Sequence, residues 1–144
     1  MYLAAVLVRG LIGTDKGIRE TLKRLNLSRK NHLVLLEDNE SNRGMLRKVE
    51  SFITFGPISD ETAKEIVEKK GEEFKEPKER KPSQKIKVSS NYREYFGKKV
   101  KPVFRMQPPK GGFERKGIKM PFSMGGVLGH RKEGMDVLVK KMLH

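Results

Sequence analysis

The chain has 144 residues, of which 35% are charged and 35% hydrophobic, and its formal net charge at pH 7 is +14. This length suits one small domain with an appendage, and the low apolar share predicts a core that does not use the whole chain. The charge, with a pI near 10.1, favours a polyanionic partner, nucleic acid first and an anionic membrane second. The absence of cysteine excludes a disulfide framework and a thiolate metal site, and it is compatible with a reducing, cytoplasmic location.

The first strand and the first helix follow directly from the apolar pattern. Residues 2–8 form an almost continuous apolar run, which predicts a strand buried on both faces. The run is too short to span a bilayer, and it lacks the basic start and cleavage site of a signal peptide. Thr14 or Asp15 is expected to cap the helix that follows. Its inward residues recur at i, i+4 and i+7 and are Ile18, Leu22 and Leu25.

Two more strands and a second helix are predicted next. The strands are short and apolar and lie at residues 33–36 and 52–55, the latter stopped by Gly56 and Pro57. Between them, a helix is expected to begin at Ser41 or Asn42. Its inward residues are Met45, Leu46 and Val49.

A third helix closes the first half of the chain. It is expected to start at a cap near Ser59 and to stop at Gly71, with Ala63, Ile66 and Val67 facing inward. The β-α-β-α-β-α order predicts a small α/β sandwich. We expect residues 1–71 to form a core domain that folds alone, although marginally at this size.

The second half of the chain is the charged half. Residues 71–144 carry 19 of the 32 Lys and Arg residues and only 8 of the 18 Asp and Glu residues. Residues 72–100 are read as an exposed charged connector, with a possible short helix at 90–96. A terminal amphipathic helix is predicted at 132–143, although Gly134 weakens it. Its inward residues are Met135, Leu138, Val139 and Met142.

Residues 101–131 carry most of the functional signal. Six glycines and four prolines interrupt this stretch, so it cannot be a conventional helix or a central strand. Phenylalanines and methionines recur between cations, and Glu114 is the only acid. Glycine allows close backbone approach to another molecule, and cations at such bends suit phosphates. The stretch is therefore interpreted as an extended arm that follows folded nucleic acid; the alternative is a solvated basic loop with a few buried aromatics.

Other candidate sites give weaker signals. Arg43 and Arg47 share a helix face beside Lys48 and form either a second phosphate-reading surface or a plain solvated face. The turn after the first strand could touch a phosphate through Arg9, although it lacks the ending of a phosphate-binding loop. The three histidines lie far apart, without the spacing of metal ligands. No catalytic constellation is present, so we expect neither an enzyme nor a cofactor or metal.

Several short motifs resemble a known family. They are Arg9-Gly-Leu-Ile-Gly, Leu33-Val-Leu-Leu, Asn42-Arg-Gly-Met-Leu, Phe52-Ile-Thr-Phe, Lys101-Pro-Val-Phe-Arg-Met-Gln-Pro-Pro-Lys-Gly-Gly-Phe, Gly117-Ile-Lys-Met-Pro-Phe and Gly125-Gly-Val-Leu-Gly-His-Arg. Together they resemble the ribosomal protein thirty family of the large subunit, in its archaeal and eukaryotic form with a C-terminal extension. The resemblance implies an α+β, ferredoxin-like core whose antiparallel three-stranded sheet has the first strand at its centre. It also implies a structural component of the large subunit that binds ribosomal RNA without catalysis.

The charge pattern of the chain and its family motifs lead to the same expectations. Residues 101–144 would be the RNA-binding extension with its terminal helix, and the partners would be large-subunit ribosomal RNA and neighbouring ribosomal proteins. The protein would be a cytoplasmic monomer within the ribosome, with no small-molecule substrate and no membrane contact. The alternatives are a polyanion or membrane-surface binder and a small-molecule-sensing domain. The predicted RNA-binding residues are Arg9, Arg43, Arg47, Lys48, Lys101, Arg105, Lys110, Gly111, Gly112, Phe113, Arg115, Lys116, Lys119, Gly125, Gly126, His130 and Arg131.

Overall fold

A computed structural model describes residues 2–74 and 92–143. The strands are β1 (Tyr2–Leu7), β2 (His32–Glu37), β3 (Ile53–Ile58), β4 (Arg93–Tyr95), β5 (Lys98–Val100), β6 (Val103–Arg105) and β7 (Gly129–His130). The helices are α1 (Lys16–Arg24), α2 (Glu40–Lys48), α3 (Asp60–Lys70) and α4 (Met135–Met142). No helix in these ranges is long and apolar enough to cross a membrane.

The main sheet has five strands in the order β6-β2-β1-β3-β7. Strand β1 lies at the centre and pairs antiparallel with β2 and β3, which confirms the predicted ferredoxin-like arrangement. The C-terminal segment adds a strand at each edge: β6 is antiparallel to β2, and β7 is parallel to β3. Neither edge strand was predicted, because strands of two or three residues carry too few side chains for a visible alternation.

Helices cover both faces of the sheet. Along β1, Leu3, Ala5 and Leu7 pack against α1 and α2, whereas Ala4 and Val6 face the opposite layer. That layer contains α3, α4 and the side chains of the hairpin formed by β4 and β5. All these β1 residues are buried, as expected for a continuous apolar run between two helical layers.

The helix starts follow capping chemistry. Asp15 accepts a hydrogen bond from Gly17 N at 3.2 Å, and Ser59 accepts one from Thr62 N at 3.4 Å, so both predicted caps are confirmed. Helix α2 begins earlier than predicted, because Asn39 takes the cap by accepting from Asn42 N at 2.8 Å. The expected start at Ser41 or Asn42 is therefore wrong by one helical turn or less.

Strand β3 does not stop at Gly56 and Pro57 as predicted, but continues to Ile58. Strand β7 pairs only with Thr54 and Phe55, so beyond them no strand among the described residues borders this side of β3. A proline there removes no ladder hydrogen bond on that side, which makes it tolerable within the strand. A Cβ on Gly56 would lie 3.0 Å from Lys132 O, so glycine allows the chain leading into α4 to approach closely.

The predicted short helix at residues 90–96 is wrong where the structure describes it. Residues 92–100 contain a β-hairpin whose two turn residues, Phe96 and Gly97, have φ of +49° and +79°. Two successive positive φ values are typical of the tight turns that join hairpin strands. Tyr95 points into the core and donates its hydroxyl to Leu35 O at 2.8 Å. The remainder of the predicted connector, residues 75–91, lies outside the described residues.

The terminal helix joins the core directly. Met135, Leu138, Val139 and Met142 are buried in α4, as predicted, and they pack on the layer that includes α3. Phe104 of β6 is also completely buried in this layer. The independent folding of residues 1–71 stays a prediction, and a fragment with that end point would lack these covering side chains.

Candidate nucleic-acid interface

Four exposed cations of the C-terminal segment lie on one loop, residues 110–119, which we call the basic loop. Its cations Lys110, Arg115, Lys116 and Lys119 are exposed, and none makes an ion pair with another described residue. Backbone bonds shape the loop: Gly112 N donates to Pro109 O at 3.0 Å. Lys116 N donates to Gly125 O at 3.3 Å. The loop therefore holds four unneutralised charges on a defined backbone.

The only acid of residues 101–131 is removed from this surface by an internal ion pair. Glu114 Oε2 lies 2.5 Å from a terminal guanidinium nitrogen of Arg131, whose side chain is only 3% exposed. Arg131 Nε also donates to Thr54 Oγ1 at 2.8 Å, and its guanidinium lies over the Phe122 ring, 4.9 Å from the centroid. The Glu114 carboxylate is therefore paired with Arg131 and not with the exposed cations of the basic loop.

Arg131 was predicted to contact RNA, and its burial corrects that assignment. Its guanidinium is already occupied by Glu114, Thr54 and Phe122 inside the protein. Exposing it to a phosphate would leave the Glu114 carboxylate without its partner, which is unfavourable for a partly buried charge. Arg131 is a structural residue that ties the basic loop to β3.

Lys101 and Arg105 lie at the β6 edge and share one acidic neighbour. Glu72 Oε2 is 2.7 Å from Lys101 Nζ, and Glu72 Oε1 is 3.4 Å from Arg105 Nε. The hydrogen bond from Lys101 lowers the pKa of Glu72, so this carboxylate stays ionised at neutral pH. Both cations are exposed, but the net charge of this trio is only +1.

Arg9 is half-buried at the end of β1. It donates from a terminal nitrogen to Ser51 O at 3.3 Å, and its guanidinium lies 5.2 Å from the centroid of the Phe52 ring. Lys48, at the end of α2, is exposed. Arg9 and Lys48 therefore lie near β1 and on α2, outside the basic loop.

Three predicted residues, two from α2 and one from β7, line one groove of about 460 Å³ between α2, β3 and β7, which we call the α2–β7 groove. They are Arg43 and Arg47 from α2 and His130 from β7. Arg43 holds Asp38 through two bonds, Nε to Oδ1 at 2.5 Å and a terminal nitrogen to Oδ2 at 2.7 Å. This contact lowers the pKa of Asp38. The other lining residues, which sequence reasoning missed, are Leu3, Asp38, Glu50, Phe55 and Pro57.

The glycines and Phe113 have separate roles. Gly111 and Gly112 both have φ of +79° in open space, so they shape the exposed turn of the basic loop. A Cβ on Gly126 would lie 2.0 Å from Met120 O, so this glycine is required by internal packing. Gly125 has φ of +92° beside the Lys116 side chain. Phe113 is half-buried and packs on the core, so its ring is an anchor of the loop.

These features define a small α+β protein with an exposed basic loop and a separate groove lined by charges of both signs. A profile of the family described as Ribosomal protein L30p/L7e matches residues 3–53. The chain is 35% identical to a Large ribosomal subunit protein uL30 of Methanococcus maripaludis, with 99% of this chain and all of the relative covered.

Two other relatives carry the same description. The relative from Methanopyrus kandleri is 34% identical, with 94% of this chain and all of the relative covered. That of Nanoarchaeum equitans is 35% identical, with 94% of this chain and 95% of the relative covered. The chain therefore belongs to the L30p/L7e family of ribosomal proteins.

Proposed function

We propose that the protein is a structural constituent of the large ribosomal subunit that binds folded ribosomal RNA through the basic loop. The relatives' descriptions support the ribosomal role, which is structural and not catalytic in this family. The observation that supports RNA binding by the loop is the group of four exposed cations without ion-pair partners in the described chain. Neighbouring ribosomal proteins are the other expected partners, and the cytoplasm is the expected location.

The chemistry of the loop fits RNA geometry. Double-stranded RNA exposes its shape, phosphates and 2′-hydroxyls more readily than its base edges. Cations on a bending glycine-containing backbone can follow phosphates without reading the base sequence. Lys101 and Arg105 would add a weaker contact, because Glu72 offsets part of their charge.

We also propose a division of labour along the chain. Residues 1–71 would serve as the folded core, residues 72–100 as a connector and residues 101–144 as the RNA-binding extension. The extension is joined to the core sheet at two places, since β6 and β7 are paired with core strands. The basic loop would thus meet RNA from a fixed position.

The test is filter binding of the full chain to large-subunit RNA across a salt series. Lys116→Ala and Arg115→Ala should each weaken binding and reduce the slope of log affinity against log salt by about 0.7–0.9. The matched control is Lys69→Ala, because Lys69 is an exposed lysine of α3 already paired with Glu65 at 2.5 Å. Unchanged slopes in both loop variants would refute phosphate binding by the loop. Equal binding to anionic vesicles would favour a general polyanion binder.

A further inference from the structure

We propose that the α2–β7 groove holds one unstacked nucleobase of the bound RNA. This inference rests on the proposed RNA binding and adds a second kind of contact to it. The basic loop would contact phosphates, whereas the groove would contact the face and edge of a base. The occupant is inferred from the lining, which combines apolar surface with charges of both signs.

The groove is built on rigid elements. His130 is paired with Phe55 across β7 and β3, and the next residue, Arg131, donates its backbone N–H to Phe55 O at 2.8 Å. The His130 ring meets the Phe55 ring edge to face, with centroids 5.2 Å apart. His130 is itself exposed, so one side of its ring is available to a ligand. Unstacked RNA bases commonly stack on such rings and on arginine planes.

The charges favour a base over a phosphate. A phosphate site is lined by donors, but this groove contains the carboxylates of Asp38 and Glu50 beside Arg43 and Arg47. A base edge presents both N–H donors and acceptors, so it can use an arginine and a carboxylate at once. Asp38 is engaged by Arg43 through both oxygens. Glu50 makes no ion pair within the described ranges and is the carboxylate left to accept from a base.

The position of Glu50 adds a second argument. It follows the C-terminal end of α2, and its backbone N–H bonds to Arg47 O. The partial negative charge at that end of a helix disfavours an acid. The Glu50 carboxylate is therefore not stabilised by its place at the helix end, and it is exposed and available to a ligand.

Glu50→Gln distinguishes a base from a phosphate in the groove, because the two ligands predict opposite changes in RNA affinity. Removing a negative charge should strengthen binding if the groove only attracts phosphates. If Glu50 accepts hydrogen bonds from a base, Glu50→Gln should weaken binding to large-subunit RNA by about tenfold. His130→Ala should weaken it similarly, because stacking is lost. Neither change should reduce the salt slope, whereas Lys116→Ala should. The control is Glu61→Gln, an exposed acid on the first turn of α3.

Chemical probing of the Watson–Crick edges in the same RNA identifies the base. One unpaired base should be protected by the full-length protein and become reactive with Glu50→Gln and with His130→Ala. Tighter or unchanged binding of Glu50→Gln would overturn the proposal while leaving the function of the basic loop intact. Loss of the groove variants from large subunits, without any change in RNA affinity, would assign the groove to a neighbouring protein and also overturn it. No RNA binding by the wild-type chain would refute the proposed function itself.

Discussion

Two stretches of the C-terminal segment, each with cations near glycines, have opposite placements in the fold. The basic loop, residues 110–119, directs its cations to solvent, whereas Val127, Leu128 and Arg131 are buried beside β3. Lys116 is exposed and Arg131 is buried, although both are cations between glycines. A basic residue in such a segment therefore either stays free to bind a ligand or stabilises the fold, according to the partners that the fold brings to it.

The largest effect on stability should come from removing the buried guanidinium of Arg131. Arg131→Ala should lower the free energy of unfolding by about 3–5 kcal/mol, because it leaves Glu114 without its partner. Urea unfolding measures this loss, and Lys116→Ala should stay within about 0.5 kcal/mol of wild type. The pair Arg131→Met with Glu114→Gln should recover part of the loss. A stable Arg131→Ala protein with a reduced salt slope for RNA would return Arg131 to the interface.

The same substitution, glycine to valine, should affect stability differently at Gly126 and at Gly112. Gly126→Val should destabilise the fold by about 1–3 kcal/mol or more, because its Cβ would overlap Met120 O. A Cβ added at Gly112 would meet no non-neighbouring atom within 4 Å, so the main cost of Gly112→Val is the strain of its positive φ, about 1–2 kcal/mol.

RNA affinity distinguishes the two variants further. Gly112→Val should weaken RNA binding at every salt concentration with an unchanged slope, because the bent loop no longer fits. Thermal unfolding and filter binding of both variants provide the measurement. Unchanged affinity of Gly112→Val would mean that the loop is only a charged tether.

The smallest expected effect concerns pH at the β6 edge. Burial lowers the pKa of His32 below its ordinary value of 6.5, and the nearby cations Arg105 and Arg29 lower it further. The unfolded chain therefore binds a proton more readily than the folded chain. The contribution of neutral His32 to the free energy of unfolding is fully present above the pKa of the unfolded chain. It is lost as the pH falls through 6.5 towards the pKa of the folded chain.

Thermal unfolding between about pH 7.5 and 5.5 tests this effect. The midpoint of the wild-type protein should fall on acidification, and the fall should be smaller in His32→Gln. An equal fall in the two proteins would show that another group titrates in this range. Salt-bridged acids such as Glu72, whose pKa is also lowered, should act only at lower pH.

The amino-acid sequence alone determined the elements with a regular period. The continuous apolar run predicted β1, and apolar residues at helical spacing predicted the four helices of the described ranges, because these periods follow from local backbone geometry. Family motifs predicted the central position of β1. The dense cations of the basic loop were also visible as composition, without any knowledge of their neighbours.

Only the tertiary structure decided which of those residues face solvent and which meet one another. Arg131 and Thr54 are 77 positions apart, and no local pattern indicates that they share a hydrogen bond. The α2–β7 groove likewise joins Glu50 to His130 across a strand pair that is too short to show a period. The hairpin at 93–100 was misread because its aromatic spacing also suits a helix, and long-range burial of Tyr95 resolves the ambiguity. Burial and ion pairing depend on residues that are far apart in the sequence. They are therefore decided only when the helical layers pack on the sheet.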